Sequence, residues 1–147
     1  MCWVKKSQSL FKIDRPVHFV EPPHCYESAE HEQILQRFDI SSVGIEQLGN
    51  PGWDPMCFCS VEGKKYYMPA LIRLCLETID DDHYFDQFLF HISYEEEKNE
   101  LLLNCSEEQR IFIASFIESM IENYPKEIER ELTTDEALKA YEIWSNT

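Results

Sequence analysis

The chain has 147 residues, of which 44% are hydrophobic and 13% aromatic, and this predicts one folded domain over residues 1–147 rather than a disordered segment. Its formal net charge of −15 argues against direct binding to nucleic acids or anionic membranes, because like charges repel. No apolar run approaches the roughly 20 residues of a membrane-spanning helix. The N-terminal segment has no apolar stretch after its lysines, so we expect a cytoplasmic protein.

The first part of the chain predicts two short helices. Apolar residues up to Ile13 predict the first helix. Arg15-Pro16 ends it, because the residue before proline avoids helical backbone. Ser28 is a suitable N-cap for the second helix, which we expect to run to about Phe38.

The middle of the chain combines turns with a longer helix. The stretch from Ser42 to Leu48 predicts a short helix, and a turn rich in proline and glycine follows it as far as Pro55. We expect Ser60 to cap a further turn. Pro69 then fits the first turn of a helix from Ala70 to about Ile79, because the missing N–H of proline costs nothing there.

The second half predicts three helices with clear apolar stripes. The first extends from His83 to Ile92. The second begins at a capping box with Ser106 at the N-cap and Gln109 at N3, and Pro125 ends it. Thr133 starts the last helix. Together these elements predict a mainly α fold, a compact single-domain bundle of about six to seven helices with little or no strand.

The negative charge is unevenly distributed along the chain. Residues 1–73 hold 8 Lys/Arg and 9 Asp/Glu, whereas residues 74–147 hold 5 and 19, a net charge of −14 for the second half. This charge predicts a basic protein partner or mimicry of a nucleic acid; a solvated face that maintains solubility is the alternative. The carboxylates that we expect to form a partner-binding surface lie in three runs: Asp80, Asp81, Asp82, Glu95, Glu96, Glu97, Glu107 and Glu108.

Four residues form a candidate metal site: Cys25, His31, Cys57 and Cys59. Thiolate and imidazole are the ligands of tetrahedral zinc sites, and Cys57 and Cys59 point to the same side if their segment is extended. However, these residues lack the Cys-x-x-Cys spacing that is usual for zinc. We therefore predict no cofactor, with zinc as the alternative. The structural interpretation is a set of buried thiols and surface histidines.

The sequence contains no recognisable catalytic motif. His31-Glu32 begins like the zinc helix of a metalloprotease, but Leu35 stands where the second histidine is required. Cys25 with His24 or His31 is the local thiol–imidazole combination for a nucleophile. Runs of carboxylates are typical of helix caps and solvent faces. The sequence therefore predicts a protein that is not an enzyme.

A motif in the middle of the chain resembles that of a known family. It reads LGNPGWDP over residues 48–55 and continues with CF at 57–58, EG at 62–63, YYMPAL at 66–71 and DQFLFH at 86–91. These segments resemble a family of short uncharacterised bacterial proteins, a domain of unknown function, over about residues 15–124. The resemblance implies no activity. In that family the upstream segment often reads Cys-x-x-Cys-x-Glu-His; here Ser28 replaces the second cysteine, so any metal site would lack one ligand.

The acidic second half and the lack of catalytic motifs predict a non-enzymatic protein that binds a basic protein partner. A bacterial immunity or antitoxin protein, which covers a basic toxin surface, fits this combination. Two alternatives remain open. One is an inhibitor that mimics a nucleic acid to block a DNA-binding protein, which needs carboxylates spaced along one face. The other is a metal or thiol protein that uses Cys25, His31, Cys57 and Cys59.

Overall fold

The computed structural model describes residues 2–21 and 25–146. Within these ranges the chain forms nine α-helices, six of them with seven residues or more, and no strand beyond one isolated bridge between Val20 and Cys59. The predicted mainly α fold is therefore confirmed. None of these helices has both the length and the apolarity to cross a membrane. The chain divides into two compact units, Met1–Leu74 (unit 1) and Cys75–Thr147 (unit 2), and the single domain over residues 1–147 stays a prediction.

Unit 1 holds three helices and most of a fourth. They are α1 (Trp3–Leu10), α2 (Tyr26–Arg37), α3 (Ile45–Leu48) and α4 (Val61–Glu77). Two short 3₁₀ helices, Pro51–Trp53 and Pro55–Cys57, separate α3 from α4. The first helix ends earlier than the predicted Ile13, and the proline-rich turn of the sequence consists of the two 3₁₀ helices.

The second helix begins earlier than predicted. Cys25 is its N-cap, and Ser28, the predicted N-cap, occupies position N3. The Ser28 hydroxyl accepts a hydrogen bond from the Cys25 N–H at 3.2 Å and donates one to the Cys25 carbonyl oxygen at 3.0 Å. Serine therefore still stabilises this helix start, but it does so from the third helical position, as the N3 member of a capping box.

The fourth helix is continuous, with Pro69 inside it, so the predicted helix start at Pro69 is wrong. Ser60 caps this helix instead: its hydroxyl accepts from the Gly63 N–H at 3.1 Å, and its carbonyl accepts from the Lys64 N–H at 2.9 Å. An interior proline costs a helix about 3 kcal/mol. The residues on either side of Pro69 offset this cost by burial, since five of them are at most 1% exposed: Tyr67, Met68, Ala70, Leu71 and Ile72.

Side chains from outside α2 bind the C-terminus of that helix. Arg15 donates from Nη2 to three carbonyl oxygens at 2.9 to 3.0 Å, those of Leu35, Gln36 and Phe38. The Tyr67 hydroxyl lies 2.7 Å from two of the same oxygens, on Leu35 and Phe38. The last four carbonyls of a helix have no partner within the helix. Arg15 and Tyr67 supply that partner and so fix the end of α2.

Unit 2 holds five helices: α5 (Phe85–Ser93), α6 (Glu100–Asn104), α7 (Glu107–Asn123), α8 (Pro125–Arg130) and α9 (Thr134–Ser145). The capping box of α7 is confirmed, because the Gln109 N–H donates to Ser106 Oγ at 3.2 Å and the Ser106 N–H donates to Gln109 Oε1 at 2.9 Å. The predicted helices at α5 and α9 are present within two residues of their expected starts. The short helices α6 and α8 were not predicted.

The core of unit 2 forms where α9 packs against α7 and α5. Trp144 of α9 is 1% exposed, and its indole N–H donates to the Ile92 carbonyl oxygen at 2.8 Å. Phe88 of α5 and Phe116 of α7 meet edge to face, with ring centroids 5.7 Å apart. These contacts fix the helices whose outer faces carry the negative charge.

Candidate protein-binding surface

The carboxylates predicted to bind a partner lie in turns, in a short 3₁₀ helix (Glu96–Lys98) and at one α-helix start. The first run, residues 80–82, lies between α4 and α5, and the second, residues 95–97, follows α5. The third, residues 107–108, forms the first turn of α7, where the helix dipole favours negative charge. All eight are exposed: Asp80, Asp81, Asp82, Glu95, Glu96, Glu97, Glu107 and Glu108.

Basic side chains neutralise only part of this charge. From residue 75 onwards the chain has 19 Asp/Glu against 5 Lys/Arg. Lys139 Nζ lies 2.6 Å from Glu96 Oε1, and this hydrogen bond raises the pKa of Lys139. Arg130 lies 4.0 Å from Glu131, and Arg110 donates to a backbone carbonyl at 2.6 Å. Several of the few cations are thus bound within unit 2, and its 19 acidic against 5 basic side chains leave a net charge of −14.

Unit 2 also contains an open groove next to the second acidic run. The groove has a volume of about 440 Å³ and lies between α5 and the turn that joins α8 to α9. Three large apolar side chains line it and remain exposed: Phe90 at 54%, Tyr94 at 59% and Leu132 at 81%. Phe90 and Tyr94 are one helical turn apart, with ring centroids 5.5 Å apart. Their exposure leaves apolar surface in contact with water.

Carboxylates border the same groove. Asp86, Glu131 and Glu136 line it and are exposed. Lys139 also lines it, but its ammonium group is bound to Glu96. The groove therefore combines apolar walls with a negative rim. The sequence did not predict this groove. The one cue to it in the sequence is Phe90, an aromatic residue on the face of α5 opposite the buried stripe.

The four candidate metal ligands of unit 1 lie in different environments. Cys25 and Cys57 are exposed, whereas His31 and Cys59 are buried. Residues 55–57 form a 3₁₀ helix rather than an extended segment, so Cys57 and Cys59 do not meet the condition for pointing to one side. Within the described ranges, no three of these four residues bring ligand atoms within 4.8 Å of one another. Zinc stays a prediction, and His24 lies outside the described residues.

His31 is a core residue of unit 1, not the expected surface histidine. Its side chain is 0% exposed, and its Nε2 lies 3.0 Å from Glu27 Oε2. The imidazole packs against Trp53 and Phe58, with ring centroids 5.0 and 4.9 Å away. These contacts attach α2 to the two 3₁₀ helices, so His31 has a structural role in the fold of unit 1.

The thiols of this region differ in acidity. Desolvation raises the pKa of Cys57, whose side chain is exposed but partly covered by its neighbours, and burial raises the pKa of Cys59 to about 12. Hydrogen bonds from the Ser28 backbone and side chain lower the pKa of Cys25. A thiol nucleophile needs both a thiolate and an imidazole base. Cys25 is exposed, whereas the His31 ring is buried in the core beside Glu27, so the thiol and the imidazole lie in different environments.

The LGNPGWDP motif forms the two 3₁₀ helices, and its polar residues cap them. Asn50 Oδ1 accepts from the Gly52 N–H at 2.9 Å, and Asp54 Oδ1 accepts from the Met56 N–H at 2.9 Å. In both cases the residue after the cap is a proline, whose fixed φ suits a helix start. No family model, curated protein or solved structure matches this chain. The family resemblance noted on this motif stays a prediction.

Proposed function

We propose that this chain is a non-enzymatic, cytoplasmic bacterial protein that binds and neutralises a basic protein partner, as immunity and antitoxin proteins do. The observation that carries the proposal is the exposed excess of carboxylates on unit 2, where 19 Asp/Glu stand against 5 Lys/Arg. Charge of this density accelerates encounter with a basic surface and repels anionic partners. Direct binding to nucleic acids is disfavoured for the same reason.

The acidic runs suit steering over a distance. At physiological ionic strength the Debye length is about 8 Å, so carboxylates within one run act together on an approaching cation. A partner with clustered lysines and arginines gains most from such an arrangement. Once bound, its basic surface is covered and no longer accessible to its own anionic target. The proposed action is therefore occlusion, which requires no chemical step.

Affinity capture with two charge-matched variants tests this proposal. The first variant removes four carboxylates from unit 2: Asp80→Asn, Asp81→Asn, Glu107→Gln and Glu108→Gln. The second removes four exposed carboxylates from unit 1: Asp14→Asn, Glu21→Gln, Glu46→Gln and Glu62→Gln. Immobilised wild type and the unit 1 variant should retain the same basic protein from a lysate of the source organism. The unit 2 variant should retain much less of it.

The salt dependence of association completes the test. With the captured partner purified, its association rate with wild type should fall at least about tenfold between roughly 50 and 500 mM NaCl, because salt screens the attraction. Equal loss of capture in both variants, or an association rate that ignores ionic strength, would contradict the proposal. Displacement of the partner by duplex DNA would indicate nucleic-acid mimicry as the more specific form of the function.

A further inference from the structure

One wall of the groove in unit 2 is a helix end with an unusual residue. At the C-terminus of α8, the Thr133 N–H donates to the Ile128 carbonyl and the Leu132 N–H to the Glu129 carbonyl, each at 3.0 Å. This pair of bonds is a Schellman motif, whose C′ position is left-handed and is usually glycine. Leu132 occupies that position with a φ of 57°. A left-handed backbone costs a residue with a side chain about 1–2 kcal/mol.

The same leucine is 81% exposed, so packing within the chain does not compensate for this cost. Burial in a partner would compensate for it, because covering a leucine side chain gives about 1.5–3 kcal/mol. The opposite wall shows a similar pattern: Tyr94 is followed by Glu95 and Glu96 with φ values of 64° and 54°. Glu96, the second of these left-handed residues, is bound to Lys139 on α9. Two left-handed turns thus flank a groove whose apolar walls face water.

The charge around these walls selects the class of ligand. Asp86, Glu131 and Glu136 form the rim, and a second copy of the chain would bring its own excess of carboxylates against them. Like charges at close range cost free energy, so self-docking at this surface is disfavoured. A purely apolar ligand would bring no positive charge to the rim carboxylates. A basic segment with one apolar face satisfies both the walls and the rim.

We infer that this groove binds a basic amphipathic helix. The apolar side chains of that helix, spaced three or four residues apart, would lie between Leu132 on one wall and Phe90 and Tyr94 on the other. Its lysines and arginines would face Asp86 and Glu136 on the rim. The inference rests on the proposed function and goes further, because it locates the contact and defines the shape of the partner segment.

A designed peptide is a suitable probe. We would use a helical peptide of about 18 leucine and lysine residues with all leucines on one face, which is long enough to form a helix on binding. A peptide of the same composition, with the leucines scattered around the helix, provides the control for charge alone. Fluorescence anisotropy gives the dissociation constant for each, and backbone amide NMR shifts locate the contact on the protein.

Matched protein variants separate the groove from the rest of the acidic surface. Phe90→Ala with Leu132→Gly removes apolar groups from both walls. Leu103→Ala with Ile111→Ala removes two apolar residues that are similarly exposed, at 65% and 59%, outside the groove. The groove variant should bind the helical peptide at least about tenfold more weakly than wild type, whereas the control variant should bind within about twofold, since tenfold is about 1.4 kcal/mol. Thermal unfolding confirms that both variants are folded.

Each outcome decides the inference. Preferential binding of the helical over the scattered peptide, with amide shifts confined to residues 86–94 and 131–139, supports it. Equal binding of the two peptides, equal effects of the two variants, shifts centred elsewhere, or no binding at all would overturn it. These results do not bear on the capture experiment with charge variants. A capture that depends on the unit 2 carboxylates, together with a groove that proves inert, would leave the proposed function standing without this docking site.

Discussion

In unit 1, Glu32 accepts hydrogen bonds from the backbone N–H groups of Phe19 and Val20, each at 2.9 Å. In unit 2, the carboxylates of residues 80–82, 95–97 and 107–108 are exposed. The same chemical group therefore serves different purposes at these positions. Glu32 accepts from backbone N–H groups of its own unit, whereas the carboxylates of the three acidic runs face solvent.

Other charged side chains of unit 1 follow the pattern of Glu32. Arg15 binds the end of α2, and Arg73 donates to the carbonyl oxygens of Ile40 and Val43 at 2.9 and 2.7 Å. Asp39 accepts from residues 41 and 42. Since a hydrogen bond to a charged group contributes about 1.5–3 kcal/mol, we expect substitutions of these hydrogen-bonded residues of unit 1 to reduce stability, and substitutions in the acidic runs of unit 2 to affect mainly binding.

The largest effect should come from Glu32→Ala. This change leaves the N–H groups of Phe19 and Val20 without their acceptor in a partly buried position, and we expect the free energy of unfolding to fall by about 2–3 kcal/mol. Glu97→Ala, at an exposed position of unit 2, should change it by less than about 0.5 kcal/mol. Urea denaturation measures both. Similar losses for the two variants would remove the contrast between the units.

Arg15→Met should have the next largest effect, a loss of about 1–2 kcal/mol, because the Gln36 carbonyl oxygen loses its guanidinium donor and those of Leu35 and Phe38 keep only the Tyr67 hydroxyl. Arg15→Lys should restore little of this loss, since an ammonium group lacks the planar fork of a guanidinium. Arg130→Met in unit 2 serves as the control and should cost at most about 0.5 kcal/mol, as expected for an exposed ion pair. Full recovery with lysine would show that charge alone, not geometry, holds the end of α2.

A pair of glycine substitutions in unit 2 should have opposite signs. Leu132→Gly relieves the left-handed backbone at a position that normally takes glycine, and should stabilise the protein by about 0.5–1 kcal/mol. Leu138→Gly, on α9, should destabilise it by about 1 kcal/mol, because glycine is a poor helix former. Both leucines are exposed, at 81% and 50%, and differential scanning calorimetry compares them. A destabilised Leu132→Gly variant would mean that the leucine is held by contacts within the chain.

The smallest effect concerns pH and Asp39. Hydrogen bonds from Ser41 and then Ser42 hold the pKa of Asp39 below its ordinary value in the folded state. The stabilisation is therefore complete above the unfolded-state pKa and is lost as the pH falls through the folded-state pKa. Asp39→Asn should lower stability at neutral pH and flatten the acid limb of the stability curve. Carboxyl NMR titration checks the direction, and an Asp39 pKa above its ordinary value would contradict it.

Local signals made much of the fold predictable. Ser106 and Gln109 predict the start of α7, because both hydrogen bonds of a capping box lie within four residues. The helix start predicted at Pro69 is wrong, because the cost of a proline inside a helix is local, whereas the burial that offsets this cost depends on tertiary packing. The short helices α6 and α8 span fewer than two turns, too few for an apolar stripe to be distinguished from a loop.

The candidate surface was predictable in part, because the sequence alone gives the charge of each residue. Acidic runs at helix ends are expected to lie at the surface. The groove was not predictable, because it needs α5 and the α8–α9 turn to lie side by side. Leu132 shows the limit most clearly: nothing in its neighbours indicates a left-handed backbone, since the residue that normally marks one is glycine. The expectation of a surface histidine is wrong for His31, because tertiary contacts with Trp53 and Phe58 bury its ring and the sequence does not show them.

The distribution of thiols has a practical consequence for studying the acidic surface. Cys2, Cys25 and Cys57 are exposed and belong to unit 1, whereas the cysteines of unit 2, Cys75 and Cys105, are buried. A maleimide dye added to the native protein should therefore attach to unit 1 alone. A fluorescent reporter of partner binding can thus be introduced without mutation and without altering any carboxylate of unit 2.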